Sequence, residues 1–175
     1  MSKAALYKTD GGRQSSGFVL ERRDCTVRSF ACAADIPYIE AHGIAKRSGR
    51  RNGHGWYPER ILAQAQKDGV LDFAKVPCAI PMYNYTTKWP TLGQIIAKYP
   101  TGRYIVSTHN HAMALIDGTI HDTGLVGLRC RIQNIFEVKP AVKALPAAPQ
   151  ITQTQINDLW ARMDALEAKR KQEAR

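Results

Sequence analysis

Two short apolar segments joined by Asp117-Gly118 constrain the fold of this chain more than any other sequence feature. Asp-Gly between such segments is a strong signal for a two-residue β-hairpin turn, because its two residues tolerate the positive φ that the turn requires. The flanking segments, His111–Ile116 and Thr119–Thr123, are therefore predicted to be paired antiparallel strands. A two-residue turn also sets the register, and that register places Asp122 on the same face as His111, one diagonal step away.

A histidine oriented by a carboxylate is half of a nucleophilic catalytic site, and the missing half is a thiol. Cys25 is placed to supply it, because apolar residues at helical spacing follow it and Asp24 is the predicted N-cap of that helix. In the first helical turn the helix dipole and unpaired N–H groups favour the thiolate. Cys32 lies two turns further along, where that help is lost. Cys25 is thus the predicted nucleophile, with His111 as base and Asp122 as the orienting carboxylate.

Each of these signals has a structural alternative. A buried cysteine and a strand histidine are more often part of the core than of an active site. An Asp-Gly pair is also ordinary turn chemistry. The order along the chain favours catalysis, because a thiol opens an early helix and the histidine and carboxylate follow on successive late strands.

The remaining pattern predicts an α+β domain. Further helices are predicted after Pro37, after Pro58 and after a capping box formed by Thr91 and Gln94. Further strands are predicted over 103–107 and 129–138.

Composition divides the chain into four segments. Residues 1–20 are polar and predict a mobile arm with a short strand near 18–20, and residues 21–138 form the predicted domain. Alanine and proline dominate 139–150, which predicts a linker. Residues 151–175 predict a short amphipathic helix that docks on the domain, binds a partner protein or self-associates, because a helix of this length is unstable alone.

A formal net charge of +10 is compatible with nucleic acid or acidic partners, although the excess is spread through the chain. One dense basic cluster is a candidate binding loop, with a solvated loop as the alternative. Its residues are Lys46, Arg47, Arg50 and Arg51.

The four cysteines lie far apart without a C-x-x-C pair, which predicts free thiols in a reducing compartment. No metal or other cofactor is expected. The sequence contains neither a membrane-spanning apolar run nor an apolar N-terminal leader, which predicts a cytoplasmic protein without a membrane span.

Several motifs stand out within residues 22–138: Asp24-Cys25-Thr26-Val27-Arg28-Ser29, the Gly/Arg-rich Gly49–Gly55, Thr91-Leu92, Pro100-Thr101-Gly102-Arg103-Tyr104-Ile105-Val106 and His111–Thr123. Together they resemble the motifs of papain-like cysteine peptidases, in particular compact papain-fold proteins of bacteriophages and bacteria. The resemblance implies a papain-like α+β fold, in which an N-terminal helical part with the nucleophile helix packs on a small antiparallel sheet and the C-terminal helix is separate. It also implies a Cys25-His111-Asp122 triad acting on a peptide or amide substrate. Asn110 departs from the pattern, since glycine usually precedes the histidine, and the oxyanion-hole glutamine of papain has no clear counterpart.

Three functional hypotheses follow, ranked from a hydrolase downwards. The first is a cysteine peptidase or amide hydrolase, phage-encoded and acting in the host cytoplasm or the virion. The second is a catalytically silent virion component that keeps the papain-like fold and is anchored by residues 151–175. The third is a basic host-factor or nucleic-acid binder that uses residues 46–51.

Overall fold

The computed structural model describes residues 5–78, 80–81, 87–124 and 126–140. Within them the chain forms four helices and a six-stranded mixed sheet, which confirms the α+β class. In chain order the elements are β1 (Leu6–Lys8), α1 (Cys25–Ala34), α2 (Tyr38–Arg47), α3 (Pro58–Lys67), β2 (Leu71–Val76), β3 (Ile80–Pro81), β4 (Thr87–Lys88), α4 (Leu92–Lys98), β5 (Arg103–Ser107), β6 (Ala112–Ile116), β7 (Thr119–Asp122) and β8 (Asn134–Pro140). None of the described helices is long and apolar enough to cross a membrane.

The large sheet has the strand order β1-β7-β6-β5-β8-β2, and β3 pairs with β4 separately. Its neighbours are antiparallel except β1 and β7, which run parallel with Leu6 opposite Ile120 and Lys8 opposite Asp122. The expectation of a purely antiparallel sheet is therefore wrong. The strand predicted near 18–20 is also wrong, because these residues form turns and the N-terminal strand is β1 instead.

The β6–β7 hairpin has the predicted turn and register. Asp117 and Gly118 adopt φ values of 46° and 74°, and Leu115 faces Ile120. The Asp117 carboxylate also accepts a hydrogen bond from the backbone N–H of Gly102 at 2.9 Å. The turn therefore ties the start of β5 to the hairpin and fixes β5, β6 and β7 relative to one another.

The sheet lies between two helical layers, as the alternation along β6 shows. Ala112 and Ala114 belong to the core cluster that contains the apolar residues of α1, α2 and α3. Met113 and Leu115 belong to the second cluster, with the buried residues of α4. Small side chains on one face of β6 let α1 pack closely across it. This packing carries the N-terminus of α1 to the sheet.

Enlarging Ala114 to leucine is expected to destabilise the protein by about 1–3 kcal/mol, because the added carbons overpack a fully buried site beneath α1. Met113→Leu is the matched control, since it nearly conserves volume at the preceding residue, which faces the opposite side of the sheet. It should lower the free energy of unfolding by less than about 1.5 kcal/mol. Chemical denaturation measures both free energies of unfolding. Equal, small losses in the two variants would contradict the close packing of α1 on β6.

Most predicted element boundaries agree with the structure to within two residues. The capping box opens α4, with the Thr91 side chain accepting from the backbone N–H of Gln94 and the Gln94 side chain accepting from that of Thr91. The last strand begins at Asn134 rather than at residue 129, because a turn and an isolated bridge from Arg131 to Thr91 come first. Lys139 and Pro140 belong to β8 and not to a linker, whereas the predicted helix over 151–175 lies outside the described residues.

Candidate active site

Cys25 is the first residue of α1 and is half-buried where this helix meets the start of β6. The backbone of Ala112, the first residue of β6, lies close enough to the cysteine sulfur to help lower the pKa of the thiol. The N–H groups in the first turn of a helix have no intrahelical acceptor. Cys25 therefore lies at a place where the backbone itself favours a negatively charged sulfur.

His111 lies directly before β6, and its ring contacts both other members of the predicted triad. Its Nε2 is hydrogen-bonded to Oδ2 of Asp122 at 2.5 Å. Its imidazole also lies close enough to Cys25 to lower the pKa of the thiol, and because Nε2 is engaged with the carboxylate, Nδ1 is the nitrogen left to face the sulfur. The structure thus brings Cys25, His111 and Asp122 together, with the imidazole hydrogen-bonded to the carboxylate and close to the sulfur.

The electrostatics of the three groups favour a charged pair of sulfur and imidazole. Burial opposes ionisation of Cys25, but the hydrogen bonds from His111 and the backbone of Ala112 outweigh it, and the pKa of the thiol is lowered. The hydrogen bond to Asp122, followed by that to Cys25, raises the pKa of His111 to about 9. The pKa of Asp122 is lowered, because contacts with His111, the backbone N–H of Thr123 and Arg28 outweigh its burial. Each of these shifts favours the charged form, so a thiolate on Cys25 and an imidazolium on His111 stabilise each other.

Cys32 provides the contrast within the same helix. Burial raises the pKa of its thiol to about 11. It lines a separate cavity of about 420 Å³ together with Tyr7, Arg103 and His121. His121 thus points away from Asp122, as the alternation of the hairpin predicts.

Asp24 is the N-cap residue of α1, as predicted, but its side chain makes no capping hydrogen bond. Its Oδ1 accepts from Nε of Arg28 at 3.1 Å, and its Oδ2 accepts from the Tyr38 hydroxyl at 2.9 Å. Arg28 in turn donates from Nη1 to Oδ1 of Asp122 at 3.2 Å. Sequence reasoning missed these partners of the triad, although the spacing of Asp24 and Arg28 is the one that pairs side chains along a helix.

Three of the four residues of the predicted basic loop are exposed, and the fourth is buried. Lys46 and Arg47 belong to the last turn of α2, and Arg47 pairs with Asp68 at 2.8 Å. Arg50 is buried and pairs with Glu21 at 2.9 Å, so it helps to fold the segment and is not available to a ligand. Arg51 is exposed in the loop after α2, as Lys46 and Arg47 are on the helix.

Glu21 joins this loop to the segment that leads into α1. Its carboxylate accepts the backbone N–H of Gly53 at 2.8 Å and contacts His42 at 3.3 Å, in addition to its bond with Arg50. Thr26 makes a second tie, donating its hydroxyl to the carbonyl of Trp56 at 2.9 Å. The loop therefore supports the N-terminus of the helix that carries Cys25.

Comparison of the chain with family models, with curated proteins and with solved structures found no match.

Proposed function

We propose that this chain is a cysteine hydrolase with a papain-like fold that cleaves a peptide or another amide through a thioester intermediate. The observation that carries the proposal is the meeting of Cys25, at the N-terminus of α1, with the imidazole of His111, which is hydrogen-bonded to Asp122. A thiol at a helix N-terminus, paired with a histidine that a carboxylate orients, is the arrangement that activates a sulfur nucleophile.

In the proposed reaction the Cys25 thiolate attacks the carbonyl carbon of the amide, and the negative charge moves onto the carbonyl oxygen. The backbone N–H of Cys25 is the proposed donor to that oxygen, because it lies in the first turn of α1 without an intrahelical acceptor. When the C–N bond breaks, His111 gives its proton to the leaving amine, and Cys25 retains the acyl group. His111 then takes a proton from water, which attacks the thioester and releases the carboxylic acid and the thiolate.

The arrangement of charges supports a hydrolase over a basic binding protein. Two of the four basic residues that would form the binding loop, Arg47 and Arg50, are engaged with carboxylates. The imidazole and sulfur, by contrast, form a chemically matched pair at a helix end. On the resemblance noted above, the proposed enzyme is phage-encoded and works in the host cytoplasm or in the virion.

The wild-type protein is expected to release p-nitrophenolate from p-nitrophenyl acetate in a burst that is stoichiometric with the chain. The acyl group should be found on Cys25 by peptide mass mapping, because the pKa of this thiol is lowered whereas burial raises those of Cys32, Cys78 and Cys130. Cys25→Ala should abolish the burst, and Cys32→Ala on the same helix is the matched control that should retain it.

Amide cleavage itself is tested with a mixture of synthetic peptides of diverse sequence, read by mass spectrometry. New peptide termini should form with wild-type protein and not with Cys25→Ala. A burst of equal size in Cys25→Ala, or acetyl groups spread evenly over the cysteines, would refute the proposed nucleophile.

A further inference from the structure

Arg28 connects the nucleophile helix to the third member of the proposed triad. It lies three residues after Cys25 on α1, so its side chain leaves the helix beside that of the cysteine. Its guanidinium contacts two carboxylates, Asp24 through Nε at 3.1 Å and Asp122 through Nη1 at 3.2 Å. The arginine side chain is 11% exposed and the two carboxylates are 3% and 4% exposed, so solvent screens these contacts little.

The two oxygens of Asp122 have different partners. Oδ1 accepts from Nη1 of Arg28 and from the backbone N–H of Thr123, at 3.2 and 2.8 Å. Oδ2 accepts from His111. Because Oδ1 is held on two sides, the plane of the carboxylate is fixed, and Oδ2 faces the imidazole.

Asp24, the other carboxylate that Arg28 contacts, is anchored in the core. Asp24 is 2% exposed, and its second oxygen is bound by the hydroxyl of Tyr38, which is 1% exposed at the start of α2. Arg13 lies 3.6 Å from the other oxygen of Asp24. Arg28 is thus fixed by a carboxylate that itself has little freedom to move.

We propose that Arg28 is a positioning residue that holds Asp122 in the orientation in which it binds His111, with Asp24 and Tyr38 as its anchor. The inference rests on the proposed function for its catalytic meaning, since the hydrogen bonds of Arg28 go to Asp24, Asp122 and Thr123 and not to the sulfur or the imidazole. A guanidinium suits the task because its planar fork reaches two carboxylates at once, which an ammonium group cannot do with the same geometry.

Positioning and simple charge predict opposite signs for one measurable quantity, the pKa of His111. Removing a positive charge from the neighbourhood of an imidazolium favours its protonation, so loss of charge alone would raise that pKa. Releasing Asp122 from its fixed orientation weakens the hydrogen bond that is the main cause of the raised pKa of His111, so loss of positioning would lower it.

The experiment is an NMR titration of the His111 imidazole in Cys25→Ala protein, in which the sulfur no longer contributes. We expect Arg28→Gln to lower the pKa of His111 by about one pH unit or more, and Arg28→Lys to recover part of that loss. Asp24→Asn, which keeps Arg28 but weakens its anchor, should lower the pKa by less and carries the test if Arg28→Gln does not fold.

Arg103→Gln is the matched control, because Arg103 donates to the carbonyls of Ala33 and Cys32 at the other end of α1, both at 2.7 Å. It should lower the melting temperature without moving the pKa of His111. An unchanged or raised pKa of His111 in Arg28→Gln overturns the positioning role, as does a pKa in the Cys25→Ala parent that is no higher than that of an ordinary histidine. None of these readouts needs the thiol or a substrate, so failure of the proposed hydrolase would show separately, in the absence of an acyl-enzyme on Cys25.

Discussion

Replacing His111 with glutamine is expected to slow the alkylation of Cys25 by iodoacetamide at pH 6 by tens of fold, up to roughly 100-fold. The hydrogen bond from His111 is the largest of the contacts that lower the pKa of the Cys25 thiol. Without it, burial shifts that pKa upwards, towards the ordinary thiol value of about 8.5, at which only roughly 0.3% of the sulfur is thiolate at pH 6. Part of the loss is offset because a more basic thiolate is intrinsically more nucleophilic, which keeps the expected factor below the full ratio of thiolate fractions.

The measurement is the rate of carbamidomethylation of each cysteine between pH 5 and 9, followed by peptide mass mapping. Cys32 is an internal reference in every sample, because its thiol is on the same helix, has a raised pKa and should react slowly in both proteins. Cys32→Ala, which leaves the Cys25–His111 contact in place, should match the wild type. If the alkylation rate of Cys25 had the same pH profile in wild type and in His111→Gln, the imidazole would have no role in activating the thiol.

The β6–β7 hairpin and the positions of His111 and Asp122 can be predicted from the sequence because they depend on local interactions. The register of β6 and β7 depends on two turn residues with positive φ and on an alternation of period two, and both are contained within His111–Thr123. The helix N-terminus at Cys25 is similarly local, as is the capping box at Thr91. The diagonal position of Asp122 and His111 then follows from the pleat alone.

The features that sequence reasoning did not predict depend on partners far away in the chain. β1 is a strand of three residues, too short to show a period, and it forms only because the edge of β7 offers partners at Ile120 and Asp122. Aspartate is a residue type that commonly caps helices with its side chain, yet the carboxylate of Asp24 is hydrogen-bonded to Arg28 and Tyr38 instead.

Arg50 shows the same limit for charge. From the sequence alone Arg50 is predicted to belong to a solvated cluster. In the fold it is bound by Glu21, which is distant in the sequence. Turn chemistry and periodicity thus predict the geometry of β6 and β7. The buried ion pairs that support the site can be found only from the tertiary structure.

Replacing Asp122 with asparagine is expected to move the alkaline limb of the pH–activity profile to lower pH and to flatten the pH dependence of stability. Asp122 is the main cause of the raised pKa of His111, about 9, against an ordinary value of roughly 6.5. The imidazolium therefore stabilises the wild-type fold fully below pH ~6.5, and this contribution is lost as the pH rises through about 9. An asparagine carries no charge to hold the imidazolium, so in the variant the loss should be smaller and centred at lower pH.

At acid pH, stability depends on pH in the opposite direction, which provides a second test of Asp122. The pKa of Asp122 is lowered in the folded protein, so its carboxylate contributes stability above the ordinary aspartate value, and that contribution is lost as the pH falls through the folded pKa. Asp122→Asn should remove this acid dependence as well. Denaturant unfolding of both proteins from pH 3 to 10, alongside the rate of peptide cleavage, measures the two limbs.

The orientation of the imidazole adds a loss of rate at every pH. Asparagine can present its amide N–H₂ to Nε2, which favours the tautomer with the proton on Nδ1, where the ring cannot accept a proton from the thiol. We therefore expect the maximal rate to fall on the order of 10³-fold or more, by the precedent of a triad carboxylate replaced by its amide. Asp117→Asn, in the turn at the other end of the same hairpin, is the matched control and should keep both the rate and its pH limbs. A variant at Asp122 with wild-type limbs and rate would show that His111 works without its carboxylate, and the triad would reduce to a Cys25–His111 dyad.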